Sequence, residues 1–110
     1  MARTNDALQG TLDLLVLKAL AQLGSMHGFG LALHIQQVSN DLLRVEEGSL
    51  YPALRRIEQT GWIRSEWKTT ENNRRAKYYS LTPVGRRQMV QEEAGWLQIV
   101  RGVTAVLRHT

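Results

Sequence analysis

The 110-residue chain contains no cysteine. Disulfide scaffolds, thiolate zinc sites and thiol nucleophiles are excluded with it. Its three histidines, His27, His34 and His109, stand at no spacing that would gather them round a metal. Long apolar runs are missing too: the longest, Leu14 to Leu17, ends after four residues at Lys18. A polar start, Met1-Ala-Arg-Thr-Asn-Asp6, precedes it. Neither a membrane span nor a signal peptide fits this pattern, and a cytoplasmic protein is expected. No Gly-rich phosphate loop, nucleophile elbow or pair of carboxylates placed for acid–base work occurs, with Asp13 and Glu58 standing alone. The expectation is a protein that is not an enzyme and carries no cofactor and no metal.

What is present is an ordinary globular composition, 43% hydrophobic and 22% charged, enough for one small core. Lys and Arg number 14 against 10 Asp and Glu, a net charge of +4. The excess is concentrated between residues 44 and 87, where ten basic side chains meet five acidic ones. A basic middle between near-neutral flanks suits a polyanion, although a solvated basic surface gives the same count.

Hydrophobic periodicity divides the chain into elements. Residues 11–23 are apolar on more than one face and stop at Gly24, which predicts a buried central helix. Ser25 to Gly28 looks like a turn. Phe29, Leu31, Ala32, Leu33, Ile35 and Val38 then mark a shorter second helix, with His27 capping or packing at its start and His34 on its polar side. Leu42, Leu43 and Val45 in the following connector are expected to tuck against these two helices. A third helix follows, with Ser49 as N-cap, Pro52 in the first turn and Gly61 at its end. Leu50, Leu54 and Ile57 form its packing stripe, and Ser49, Pro52, Arg55, Arg56 and Gln59 fall on the opposite side.

After Gly61 the period shortens. Trp62 to Lys68 and Ala76 to Leu81 predict a two-stranded hairpin with a polar, basic tip. Tyr78 and Tyr79 alternate on the second strand, so one packs inward and the other faces out. Thr82 and Pro83, as N-cap and first helical position, open a last helix that can run to about Arg108. The predicted fold is mostly α with a two-stranded β wing: a winged helix-turn-helix over residues 1–81, and a long C-terminal dimerisation helix over 82–110.

Three segments resemble a known family: Gly48-Ser-Leu-Tyr-Pro-Ala-Leu-Arg-Arg-Ile-Glu58, Gly61-Trp-Ile63, and Asn73-Arg-Arg-Ala-Lys-Tyr-Tyr-Ser-Leu-Thr-Pro-Val-Gly85. Together they are similar to the PadR-like transcriptional regulators. His27-Gly-Phe-Gly30 resembles the family's His-Gly-Tyr-Gly, and the resemblance covers about residues 9–87. It implies a dimeric bacterial DNA-binding repressor whose C-terminal helices build the dimer and which small aromatic compounds release in many members. With a single C-terminal helix the chain is similar to the short subfamily.

A helix of about 10–12 Å fits the major groove of B-DNA. Ser49, Tyr51, Pro52 and Arg55 are therefore the candidates nearest the bases, while Arg56 and Gln59 point the same way or lie nearer the backbone. The alternative for each is a plain solvated face. Asn73, Arg74, Arg75 and Lys77 at the hairpin tip are candidates for phosphate or minor-groove contact, against the alternative of an ordinary charged loop. On the last helix Met89, Trp96, Val100, Val103 and Leu107 keep near-heptad spacing, widened by Val90, Leu97 and Val106. One small domain cannot cover that stripe, so a homodimer on a pseudo-palindromic operator is expected, with Glu93, Gly95 and Gly102 arguing for irregular packing. Trp96 has two readings: an interface residue, or a stacking site for a small planar aromatic ligand, which the resemblance to the short subfamily implies. A second class of function stays open, a winged-helix interaction module whose basic face meets an acidic partner protein.

Overall fold

A computed structural model describes residues 3–110. Helix α1 spans Arg3–Leu23, strand β1 Ser25–His27, helix α2 Gly28–Val38, helix α3 Glu47–Gln59, strand β2 Ile63–Thr69, strand β3 Arg75–Leu81 and helix α4 Pro83–Arg108. The central helix thus begins well before residue 11. Its end is as predicted, because Gly24 adopts φ +89°, a left-handed conformation that terminates a helix without steric cost.

The first difference in architecture is a third strand. Ser25–His27 pairs antiparallel with β3, Met26 opposite Tyr79, so the sheet has the order β1-β3-β2 rather than being an isolated hairpin. Three residues carry no period that a sequence could display, and the strand exists because the edge of β3 is there to pair with it. His27 ends this strand and caps α2, its Nδ1 accepting the Gly30 amide at 3.0 Å while its ring meets Tyr78 edge-on.

The core forms where the four helices meet the sheet. Leu17 and Leu20 of α1, Leu31 and Ile35 of α2, Leu50, Leu54 and Ile57 of α3, Ile63 of β2 and Tyr79 of β3 are all buried together. Each large aliphatic chain contributes about 1.5–3 kcal/mol on leaving water. Of the two tyrosines, Tyr79 is the inward one. The connector departs from expectation. Asn40 and Asp41, both at positive φ, end α2 with their amides on the Gln37 and Gln36 carbonyls and turn the chain outward. Leu42 is left 85% exposed and Leu43 exposed, and only Val45 packs on the core.

The start of α3 is also displaced. Glu46 is the N-cap, without a side-chain cap bond, and the amides of Ser49 and Leu50 both close on its carbonyl. Ser49 is therefore a first-turn residue instead of the cap. Pro52 falls inside the helix and cannot donate to the Gly48 carbonyl, a loss tolerated because both residues lie on the exposed side.

The Thr82-Pro83 signal holds. Thr82 Oγ1 accepts the Gly85 amide at 3.0 Å, and α4 runs 26 residues to Arg108. The first turns of α4 pack into the core through Met89, and the helix then follows α1 in the opposite direction, with Lys18 and Glu93 paired at 3.4 Å. Gly95, Trp96 and Ile99 continue along α1 beside Gly10, Thr11 and Leu14. The radius of gyration, 15.2 Å, exceeds the ~13 Å of a compact chain of this length, and the long axis reaches 57 Å. Among the described residues no helix is long and apolar enough to cross a membrane.

Candidate nucleic-acid interface

Helix α3 is strongly two-sided. Leu50, Ala53, Leu54 and Ile57 are buried, and Ser49, Tyr51, Pro52, Arg55 and Gln59 are exposed. The stripe and the outward face have the helical spacing read from the sequence, and Gly61 at φ +84° ends the element. Arg55 makes no ion pair among the described residues, so its guanidinium is available.

Four of the candidate side chains, Arg56, Tyr51, Lys77 and Arg75, have partners within the molecule. Arg56 bonds Asp13 of α1 at 2.7 Å, which draws its guanidinium toward the base of α3 and away from the Arg55 side. Asp13 is mostly buried. Burial pushes its carboxyl above the ordinary 3.8, the Arg56 hydrogen bond and charge offset only part of this, and Glu92 adds to the rise. Tyr51 leans back over Gly28 at the start of α2, so closely that a Cβ there would meet its hydroxyl at 2.8 Å. Lys77 stands 3.8 Å from Glu58, whose other carboxylate oxygen accepts the Ser65 hydroxyl at 2.6 Å. Asp13 and Glu58, isolated in sequence, are thus the anchors of cationic side chains. Burial, with Glu58 and Tyr51 nearby, also raises the Tyr79 hydroxyl above its ordinary 10.0, against a smaller opposing effect of Arg55.

The wing extends beyond the core. Its turn is closed by the Thr70 amide on the Arg74 carbonyl at 2.6 Å and by Asn73, at φ 61°, donating to the Thr70 carbonyl. Asn73 therefore shapes the tip, while Arg74 is exposed and free of ion pairs among the described residues. Arg75 lies over the Trp67 ring, 5.6 Å from its centroid.

This combination matches a family of DNA-binding regulators. Residues 16–91 fit the model of the transcriptional regulator PadR-like family. The chain belongs to the PadR-like family. It is 32% identical over 75 residues to transcriptional regulator Rv3488 of Mycobacterium tuberculosis, an overlap of 68% of this chain and 69% of that protein. A transcriptional regulator from Clostridium thermocellum superposes with a TM-score of 0.79 at 27% identity, over 94% of this chain and 96% of that one. A PadR family regulator from Eggerthella lenta gives 0.75 at 29%, over 99% and 92%. As a PadR-like regulator the protein acts in transcription through DNA binding, and the winged helix-turn-helix with its long C-terminal helix is the architecture shared with these structures.

The helix that the family places last is only partly as predicted. Met89 is buried in the chain's own core instead of standing free on the helix: it lies in the second turn of α4, where the helix still covers the domain. Val100 is half-buried. Val103 and Leu107 are 51% and 79% exposed, with Val90, Leu97, Ile99 and Val106 exposed beside them. Trp96, 40% exposed, lines a groove of about 360 Å³ between α1 and α4 with Leu14, Glu92, Gly95 and Ile99. Ile99, three residues after Trp96 and four before Val103, was missed from sequence although it keeps the helical spacing, and its exposure makes it part of the same apolar strip. Phe29 and Trp67 were also missed, and neither has a motif that marks it as a surface residue.

Proposed function

We propose that the protein is a dimeric, sequence-specific DNA-binding repressor. One observation carries the reading: α3 buries one complete stripe and leaves the opposite face, with the unpaired Arg55, open to solvent beside a basic wing. In the major groove that face brings Ser49, Pro52 and Arg55 to base edges, and Gln59 toward the backbone. Arg74 and Arg75 of the wing, with Lys77, pair with phosphates and supply affinity more than sequence choice. Occupying a promoter in this way represses by exclusion.

The exposed strip on α4 supports residues 82–110 as a dimerisation segment built on Trp96, Val100, Val103 and Leu107. Two copies joined there set the recognition helices about 34 Å apart, one turn of a pseudo-palindromic operator. The Trp96 groove supports release by an effector: a small planar aromatic ligand stacked there would bear on both α1 and α4. In Trp62→Phe, Trp67→Phe protein the remaining indole fluorescence reports binding of such a compound, and silence across a panel of planar aromatics removes this part of the reading.

The test of the whole is selection from a random duplex library at near-physiological salt, with Arg55→Ala in parallel. A two-fold symmetric motif that Arg55→Ala blurs, at about 1–3 kcal/mol for the contacted base, is expected. A folded dimer that enriches no sequence would instead favour a module for acidic partner proteins.

A further inference from the structure

On the face of the wing turned toward α3, successive β2 positions move outward from the core: Ile63 is buried, Ser65 half-buried and Trp67 59% exposed. Each step of two residues advances about 6.6 Å, so by Trp67 the strand overhangs open space. Lys77 is its partner across the ladder and Arg75 lies two pairs further out, opposite Thr69. The space beneath is a cleft of about 560 Å³. Its far wall is the start of α2, where Phe29 is 65% exposed, and Tyr51 and Tyr79 form its floor.

Phe29 and Trp67 both line this cleft, and covering their exposed apolar surface would be favourable for a ligand seated there. Three observations select the occupant. Of the cationic side chains at the cleft, Arg74 and Arg75 make no ion pair among the described residues, and Lys77 has Glu58 at 3.8 Å. The Arg75 guanidinium lies over the Trp67 ring in the lining of the cleft, with no carboxylate attached among the described residues. Tyr51 belongs both to this cleft and to the outward face of α3, so the two surfaces are continuous. A polyanion with apolar sugar faces, leaving the groove read by α3, meets all three conditions.

We propose that this cleft seats one strand of the DNA backbone, with Phe29 and Trp67 packed against its sugars and Trp67 positioning Arg75 for a phosphate. The proposal rests on the DNA-binding reading and adds two uncharged contact residues to it. Phe29 contributes by apolar contact alone, so it adds affinity without releasing counterions. Trp67 contributes both contact and the orientation of Arg75.

The test uses full-length protein and a labelled duplex carrying the motif enriched by wild type, or a random-sequence duplex if none is enriched. Phe29→Ala and Trp67→Leu, both at exposed positions, are each expected to weaken binding about tenfold. Phe29→Ala should keep the wild-type slope of log affinity against log salt, and Trp67→Leu should flatten it. A second readout is independent of affinity: in Trp62→Phe, Trp96→Phe protein, quenching of Trp67 by acrylamide should fall several-fold when duplex is added. Unchanged quenching with wild-type affinity in both variants, while Arg55→Ala still loses the motif, overturns the cleft and leaves the α3 reading standing. A wild-type protein that binds no duplex at low salt overturns both.

Discussion

A methyl group at position 85 would collide with the carbonyl oxygen of Trp62. That oxygen is fixed in turn, accepting both the amide and the hydroxyl of Thr82 at 3.1 Å, so the loop before β2 and the start of α4 are locked together at one backbone atom. Backbone cannot yield as a flexible side chain can. Gly85→Ala is expected to destabilise the fold by about 2 kcal/mol or more, seen as a lowered midpoint in thermal denaturation. Gly28 is the contrasting case, because a Cβ there meets only the end of the Tyr51 ring, which can swing aside. Asp13 supplies a pH dependence. Its carboxyl is raised above 3.8, so the folded state holds the proton more tightly than the unfolded one. The stability this brings is fully present below 3.8 and is lost as pH rises through the raised value. Asp13→Asn, which still accepts from Arg56, removes that dependence. In urea unfolding across a pH series, the variant should gain on wild type as pH rises from about 3.8 and then level off by neutrality. A gain in the opposite direction would mean that the Arg56 bond outweighs desolvation.

Among elements, α3 and the wing divide the work of an interface differently. The helix is positioned by four buried side chains and presents a rigid face. The wing has no core beneath its outer half, and its tip is held by turn hydrogen bonds from Thr70, Asn73 and Arg74. Its basic residues are suited to contacts that tolerate movement, which phosphates are and base edges are not. Arg74→Ala should therefore weaken binding to specific and random duplexes alike and reduce the salt slope by about one for each phosphate that the variant no longer neutralises. A variant that changes the selected motif while keeping the slope would assign Arg74 to base readout. Helix periodicity made the buried and exposed sides of α3 legible in advance. It could not reveal that Arg56 is bonded to Asp13 or Lys77 near Glu58, because each pair joins elements that only folding brings together.

For the molecule as a whole, the exposed apolar strip on α4 is the surface that the proposed dimer would cover. The helix carries its buried residues, Gly85 and Met89, near the domain and the exposed Val103 and Leu107 toward its C-terminal end. The two ends predict different failures. Met89→Ala should cost the protomer about 2–5 kcal/mol at any concentration, as a core cavity does. On the proposed dimer, a Val103→Glu, Leu107→Glu protein should keep its fold, sediment as a monomer and lose about two orders of magnitude or more in DNA affinity as one of two half-sites is given up. If it remains dimeric with wild-type affinity, the partner is held elsewhere, and the groove at Trp96 is the next place to substitute.

Several features were determined by local chemistry alone and could be read from the chain. The stops at Gly24 and Gly61 need a residue that tolerates positive φ, and the Thr82-Pro83 start needs a hydroxyl acceptor followed by a residue without an amide hydrogen. The two periods that distinguish helix from wing are likewise properties of neighbouring residues. Other features were decided by tertiary structure. Strand β1 is too short to signal itself and forms only against the edge of β3. Helix α3 starts at Glu47 because its first turn closes on the Glu46 carbonyl, which no side chain marks. Met89 belongs to the core and Leu42 to the surface because burial depends on what stands opposite a residue, and hydrophobic spacing records only which side of its own element the residue occupies.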